Sequence, residues 1–219
     1  MAQTDDLALN PTHVRVLAVL AEKEQLTPDN YPLSLNALVN GCNQLTSREP
    51  VMALAESEVR DALDALASAR LVAEVSQAGA RVPKYEHQMR LFWTLEQDKL
   101  AALTMLMLRG PQTAAEVRSR AGRMHEFASV AAAEAALQFL IDKYPPLVAR
   151  MARAPGTKEA RYAHLLSGEP VDGDTDAVPE TAPTARQERV SALEEEVAAL
   201  KAEVARLSEE FAEIRRLLE

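Results

Sequence analysis

Apolar residues in "NPTHVRVLAVLAEKEQL" return at helical spacing, with Val14, Leu17, Ala18 and Ala21 on one stripe. Asn10 is placed to cap that helix and Pro11 suits its first position. "TPDNYP" breaks the chain. A second helix is expected from about Leu33 to Asn43, with Leu35, Leu38, Val39 and Cys42 on its apolar face. A loop through Pro50 follows. A third helix is expected over about Glu56 to Arg70, turning Val59, Leu63 and Leu66 inward. "LVAEVS" and "RVPKYEHQ" then flank "QAGA", two short extended runs around a glycine-containing turn.

The order then repeats. Thr94 and Gln97 fit a capping box for a helix that ends near Gly110, and Thr113 and Glu116 fit another for "TAAEVRSRA". Ser129 can cap "SVAAAEAALQFLIDKY". "LVARMA" and "EARYAHL" flank "RAPGTK" as a second hairpin. Three helices followed by a hairpin is the order of a winged helix-turn-helix domain. The reading is a mainly α protein with small β-hairpin wings: two tandem winged helix-turn-helix domains, at 1–93 and 94–165.

Apolar periodicity disappears in "LSGEPVDGDTDAVPETAPTARQ", residues 166–187, which reads as an acidic flexible linker. It returns as an unbroken 3, 4, 3, 4 spacing over 188–219. Val190, Val197, Val204, Phe211 and Leu218 take the a positions of a heptad, and Leu193, Leu200, Leu207 and Ile214 take the d positions. Valine at a with leucine at d favours a parallel dimer. Flanking charges agree: Arg189 would face Glu194, Glu196 would face Lys201, and Glu210 would face Arg215. A C-terminal coiled-coil helix that joins two copies is therefore expected, the alternative being a helix folded back on its own domains.

Composition narrows the class. With 47% apolar but only 4% aromatic residues, the core must be built from Leu, Val and Ala, which favours helices. One cysteine, Cys42, rules out an internal disulfide and fits a reducing compartment. "MAQTDDLALNPTH" has neither the basic nor the apolar region of a secretory signal, and no apolar run nears the ~20 residues of a membrane span. A cytoplasmic location is expected, with no membrane contact. Charge is unevenly spread: 8 basic against 13 acidic residues over 1–97, 10 against 6 over 98–168, and 6 against 14 beyond. A nucleic-acid surface would therefore lie in the middle third.

No pattern of catalysis stands out. Glycine-rich phosphate loops are missing, a single cysteine cannot build a cysteine-rich zinc site, and His13, His87, His125 and His164 fall on different elements. Neither a catalytic residue, nor a metal, nor a cofactor is assigned. The third helix of the first domain carries Glu56, Glu58, Asp61 and Asp64 against Arg60 and Arg70, a face that phosphates would avoid. Its counterpart in the second domain is alanine-rich, with Gln138 and Lys143 its few polar candidates. The basic side chains lie elsewhere: Arg118, Arg120 and Arg123 in "RSRAGRMHEF", and Arg150, Arg153, Lys158 and Arg161 on the second hairpin. They form either a strip that contacts phosphates or a partner, or a solvated face with ion pairs to the acidic first domain.

Asn36, Asn40 and Asn43 share the other face of the second helix, although asparagine prefers caps and turns. Together with Arg48 they form a polar helix–loop patch with three readings: contacts to nucleic acid, hydrogen bonds to the backbone of the loop 44–50, or plain surface. A partner-binding role would be shared with Arg48 and Glu49.

"YPLSLNALVNGCNQLTSREPVM", "RVPKYEH", "LMLRGPQTAAEVRSRAGRMHEF" and "PGTKEARYAHLLSG" together resemble the YceH family of bacterial proteins, over about residues 11–168. The resemblance implies tandem winged-helix domains and says little about activity. The family often has serine where Ala55 stands, at the cap of the third helix. Taken together, the expectation is a non-enzymatic winged-helix protein, DNA-associated or regulatory and dimerised by its tail. Its alternative is a scaffold whose winged helices dock partner chains. DNA of unknown site and an unknown protein are the two candidate partners beyond a second copy.

Overall fold

A computed structural model describes residues 9–75, 82–151 and 159–168, all within one compact unit, Met1–Pro170. The linker beyond Gly168, the heptad tail, Arg153 and Lys158 lie outside the described residues, while Leu166, expected to open the linker, is buried in the core. Helix α1 (Pro11–Leu26) opens as its sequence suggests, with the His13 amide donating to Asn10 Oδ1 at 2.8 Å. After a short 3-10 turn come β1 (Leu33–Ser34), α2 (Leu35–Cys42), α3 (Glu56–Ser68), β2 (Val72–Val75) and β3 (Lys84–His87). A five-residue helix, α4 (Met89–Trp93), connects to α5 (Gln97–Arg109), β4 (Gln112–Thr113), α6 (Ala114–Ala121), α7 (Val130–Ile141), β5 (Val148–Arg150) and β6 (Arg161–His164). The second half thus repeats the helix, short strand, helix, helix, two-strand order of the first.

Both sheets are antiparallel, and both set the third strand between the first and second: β1-β3-β2 and β4-β6-β5. In the first, Leu33 faces Tyr85 and Val72 faces His87; in the second, Gln112 faces Tyr162 and Val148 faces His164. Both hairpins therefore form. Leu33 and Ser34, expected as the start of a helix, are instead a strand, because β3 offers them a ladder. Ser34 is then free to cap α2, accepting from the Ala37 amide at 3.4 Å.

Two helices carry the core. The stripe expected for α1 is too narrow: every residue from Val14 to Glu22 is buried. In α5, Leu100 to Leu108 are all buried as well. The reason is that α1 packs against α2, α3 and β3 and also against α5, while α5 packs against α6, α7 and β6. A helix with neighbours on all sides is buried all round, so the two charged residues in the α1 run, Arg15 and Glu22, need internal partners. Gly41 lets α2 lie close to α1, since a Cβ there would stand 2.6 Å from Val19 Cγ1. One continuous core runs from Leu9 to Leu166 across both repeats.

Cap expectations hold in part. Thr113 and Glu116 form their reciprocal box, at 3.2 and 2.9 Å, and Ser129 Oγ accepts from the Ala132 amide. The Thr94–Gln97 box does not form. Thr94 takes a left-handed backbone, φ 50°, to end α4, and α5 starts at Gln97 behind Glu96. The Gln97 amide is engaged elsewhere, donating to Met124 O at 2.9 Å. Ala55 does stand at the N-cap of α3. It offers no side-chain acceptor, and only the return bond is made, from the Ala55 amide to Glu58 Oε2 at 2.7 Å.

Candidate interaction surface

The asparagines divide. Asn43 clamps the loop that follows α2: its Nδ2 donates to Leu54 O at 2.8 Å and its Oδ1 accepts from the Leu54 amide at 2.7 Å. That pair satisfies both backbone groups of a buried residue. Asn36 and Asn40 are exposed and meet only each other, at 3.4 Å. Arg48 leaves the patch altogether, because its side chain is 0% exposed. It donates to both carboxylate oxygens of Glu22, at 3.0 and 2.6 Å, and to Gly41 O, Ser47 O and Gln44 Oε1. Arg48 is therefore an internal staple and not a surface contact.

A second buried guanidinium, Arg15, was not anticipated. It reaches from α1 to Cys42 O at 3.2 Å and Pro50 O at 2.7 Å. The signal was present as one arginine inside an otherwise apolar helical run. The Glu49 amide adds a bond to Leu108 O, at 2.8 Å, which ties the loop to the end of α5. The loop is thus held from three sides and presents Leu45 and Val51 to solvent.

A polar chain crosses between the repeats. The Met89 amide donates to His87 Nδ1, so Nε2 carries the proton and donates to Glu24 Oε2 at 3.2 Å. Arg90 also reaches Glu24 Oε2, at 3.3 Å, and bonds Gln97, whose amide holds the α6–α7 loop at Met124. The hydrogen bond from His87 lowers the Glu24 carboxyl to about 2, against burial, and Arg90 helps. Burial pushes the Cys42 thiol up to about 12, against the Arg15 and Arg48 guanidiniums, and burial alone pushes the His164 imidazole down to about 4. Cys42 is therefore a packed thiol, far from thiolate chemistry at neutral pH. Among the described residues, no three His, Cys, Asp or Glu side chains converge on a metal-sized site.

The five described basic residues are brought to one repeat, and three of them are engaged within it. Arg118 Nε donates to Phe127 O. Arg120 bonds Gln112 and pairs with Glu116 at 3.2 Å. Arg161 donates to Pro111 O at 2.6 Å and lies 3.9 Å from the same Glu116. Arg123 and Arg150 are exposed, with no ion-pair partner among the described residues.

The outer faces of α3 and α7 differ sharply. Helix α3 exposes Glu56, Glu58, Asp61 and Asp64, and its Arg60 is tied to Glu56 at 2.6 Å. Helix α7 exposes Val130, Ala131, Ala135 and Phe139, with Glu134 and Gln138 beside them. Phe139 is 41% exposed, and the ammonium groups of Lys99 and Lys143 each lie 5.3 Å from its ring centroid. Tyr144, just beyond the helix, is 90% exposed. Exposed aromatic side chains are enriched at protein interfaces, and the two lysine ammonium groups add cation–π contacts at Phe139.

Comparison with other proteins gives one family, described as protein of unknown function, DUF480, which matches residues 9–157. A UPF0502 protein of Herminiimonas arsenicoxydans is 65% identical over 184 residues, 82% of this chain and 78% of the relative. One from Chromobacterium violaceum is 58% identical over 166 residues, 76% of each chain. A third, from Geobacter sulfurreducens, is 47% identical over 196 residues, 86% of this chain and 88% of its own.

Proposed function

The chain belongs to the DUF480 family of proteins of unknown function, so its activity must be read from its own surface, and we propose that it is a non-enzymatic tandem winged-helix protein that docks partner proteins. The resemblance to the YceH family fits that membership. The winged-helix assignment is supported by the twice-repeated element order and by the matching strand orders of the two sheets. In that fold α3 and α7 stand where a recognition helix would enter a DNA groove.

One observation carries the choice of protein over DNA. The outer face of α3 is acidic and that of α7 is apolar, so neither presents the Arg, Lys, Asn or Gln array that reads base edges. The α7 face, from Val130 through Phe139 to Tyr144, is the docking surface. Placing the photo-crosslinker benzoylphenylalanine at position 139 tests this. One discrete adduct in cells, missing when the probe stands at exposed Ser68, is expected. Equal adducts from both positions would contradict it.

The DNA-associated reading is second, favoured by exposed Arg123 and Arg150. Self-association through the heptad seam at 188–219, as a parallel coiled-coil homodimer, is part of the proposal and rests on sequence spacing. A cytoplasmic location is part of it too, supported by the lone cysteine. Among the described residues no helix is long and apolar enough to cross a membrane.

A further inference from the structure

The first sheet ends, among the described residues, in an open edge. Among the described residues β2 pairs with β3 alone, so one side of β2 has no strand beside it. An open edge is a template for another strand. Here it borders a groove of about 450 Å³, formed by Ala67 at the end of α3, Val72 and Ala73 of β2, and Leu91 and Phe92 of α4. Leu91 is 79% exposed.

No carboxylate lines the groove, but three neighbour its lining residues. Asp64 lies one turn before Ala67 on α3, and Glu74 follows Ala73 on β2; both are exposed. Glu86 is opposite Ala73 in the ladder and accepts from groove-lining Gln88 at 2.8 Å. Burial pushes the Tyr85 phenol up, Glu74 and Asp64 push it the same way, and Arg60 opposes them. Arg70 is the one cation in the lining. The balance is acidic, in keeping with the net −5 of residues 1–97.

We propose that the β2 groove takes an extended segment of a partner protein, added to the sheet as a further strand, with an apolar side chain against Leu91 and Phe92 and with lysine or arginine beside it to meet Asp64, Glu74 and Glu86. Backbone pairing supplies affinity, and the acidic rim selects the segment. A second copy of this chain is the poorer occupant, because pairing β2 with β2 brings Glu74 and Asp64 of both copies together, and like charges across strands repel. Phosphates meet the same repulsion. The inference stands on the first repeat and is independent of the α7 face.

The test uses the full-length chain and two fluorescein-labelled synthetic peptides, Lys-Val-Leu-Val-Lys and Glu-Val-Leu-Val-Glu. Anisotropy at low salt reads binding, and amide hydrogen exchange reads the site. The basic peptide is expected to bind below about 1 mM, and about 10-fold tighter than the acidic one. It should slow exchange at Val72–Val75. Leu91→Ser should weaken it about 10-fold, the scale of one lost leucine contact. Glu74→Lys should narrow the preference between the peptides, and Phe139→Glu should leave binding unchanged. Equal binding of both peptides, no slowing at β2, indifference to Leu91→Ser, or no binding at about 1 mM would each overturn the proposal. So would a peptide-free self-association that Leu91→Ser abolishes, which would assign the groove to a second copy.

Discussion

Replacing Arg48 by methionine keeps the length and apolar stem of the side chain and deletes its charge. In the folded chain the Glu22 carboxylate, 8% exposed, would then lose a partner that holds both its oxygens. Stranding one member of a buried ion pair costs about 3–5 kcal/mol. Lys23 Nζ, 3.5 Å from the same carboxylate, offsets part of that. Gly41 O and Ser47 O also lose a donor, at about 1 kcal/mol each if water cannot replace it. With about 1 kcal/mol returned by Lys23, the expected loss is about 4–6 kcal/mol. Urea unfolding followed by circular dichroism measures it, with an unchanged m-value showing that the cooperative unit is intact. Adding Glu22→Gln to Arg48→Met removes the stranded charge and should recover about 1–2 kcal/mol. If Arg48 were a surface contact, its loss would stay within about 0.5 kcal/mol. A loss below about 1 kcal/mol, or a double variant no better than the single, would refute the reasoning.

Asn43→Ala should cost about 2 kcal/mol in thermal or urea melts, because two bonds to the Leu54 backbone vanish together. Asn36→Ala and Asn40→Ala, which remove only an exposed mutual bond, should stay within about 0.5 kcal/mol. The Glu24 carboxyl sits at about 2 when folded and near its ordinary 4.5 when unfolded. Its contribution is thus fully present above pH 4.5 and lost as pH falls toward 2. Glu24→Gln should flatten urea midpoints across that window, and an unchanged slope would contradict the assignment. Light scattering of the full-length chain should give twice 24.0 kDa, and Leu200→Lys, at a d position of the seam, should return it to the monomer mass. A wild-type monomer would remove the coiled-coil dimer.

Much of the fold was legible because local signals agreed with it. Asn10 and Pro11, the Thr113–Glu116 pair, Ser129 and Gly110 mark element ends by backbone chemistry that needs no tertiary partner. Features that depend on a distant neighbour were not legible. The two-residue strands β1 and β4 exist only because β3 and β6 lie beside them. The all-round burial of α1 follows from α5, more than seventy residues later in sequence. Thr94 looked like a cap until α4 needed a left-handed residue to stop it. The same holds for the candidate surface. Asn43 was readable as a loop clamp, but its partner is Leu54 and not the backbone of 44–50. Arg48 was not readable as buried, because Glu22 sits on another helix and a charged residue in a polar loop gives no sign of an internal partner. The acidic face of α3 and the apolar face of α7 were visible in sequence, since helical periodicity alone sets them.

The most direct test of the central claim is fluorescence anisotropy of the full-length chain with a mixed-sequence DNA duplex, from low to physiological salt. Protein docking predicts no binding at about 10 µM protein even at low salt, where non-specific binders with constants of about 10⁻⁴–10⁻⁶ M at physiological salt would saturate. Binding with a steep salt dependence, lost in Arg123→Glu with Arg150→Glu, would contradict it and put the basic repeat on phosphates.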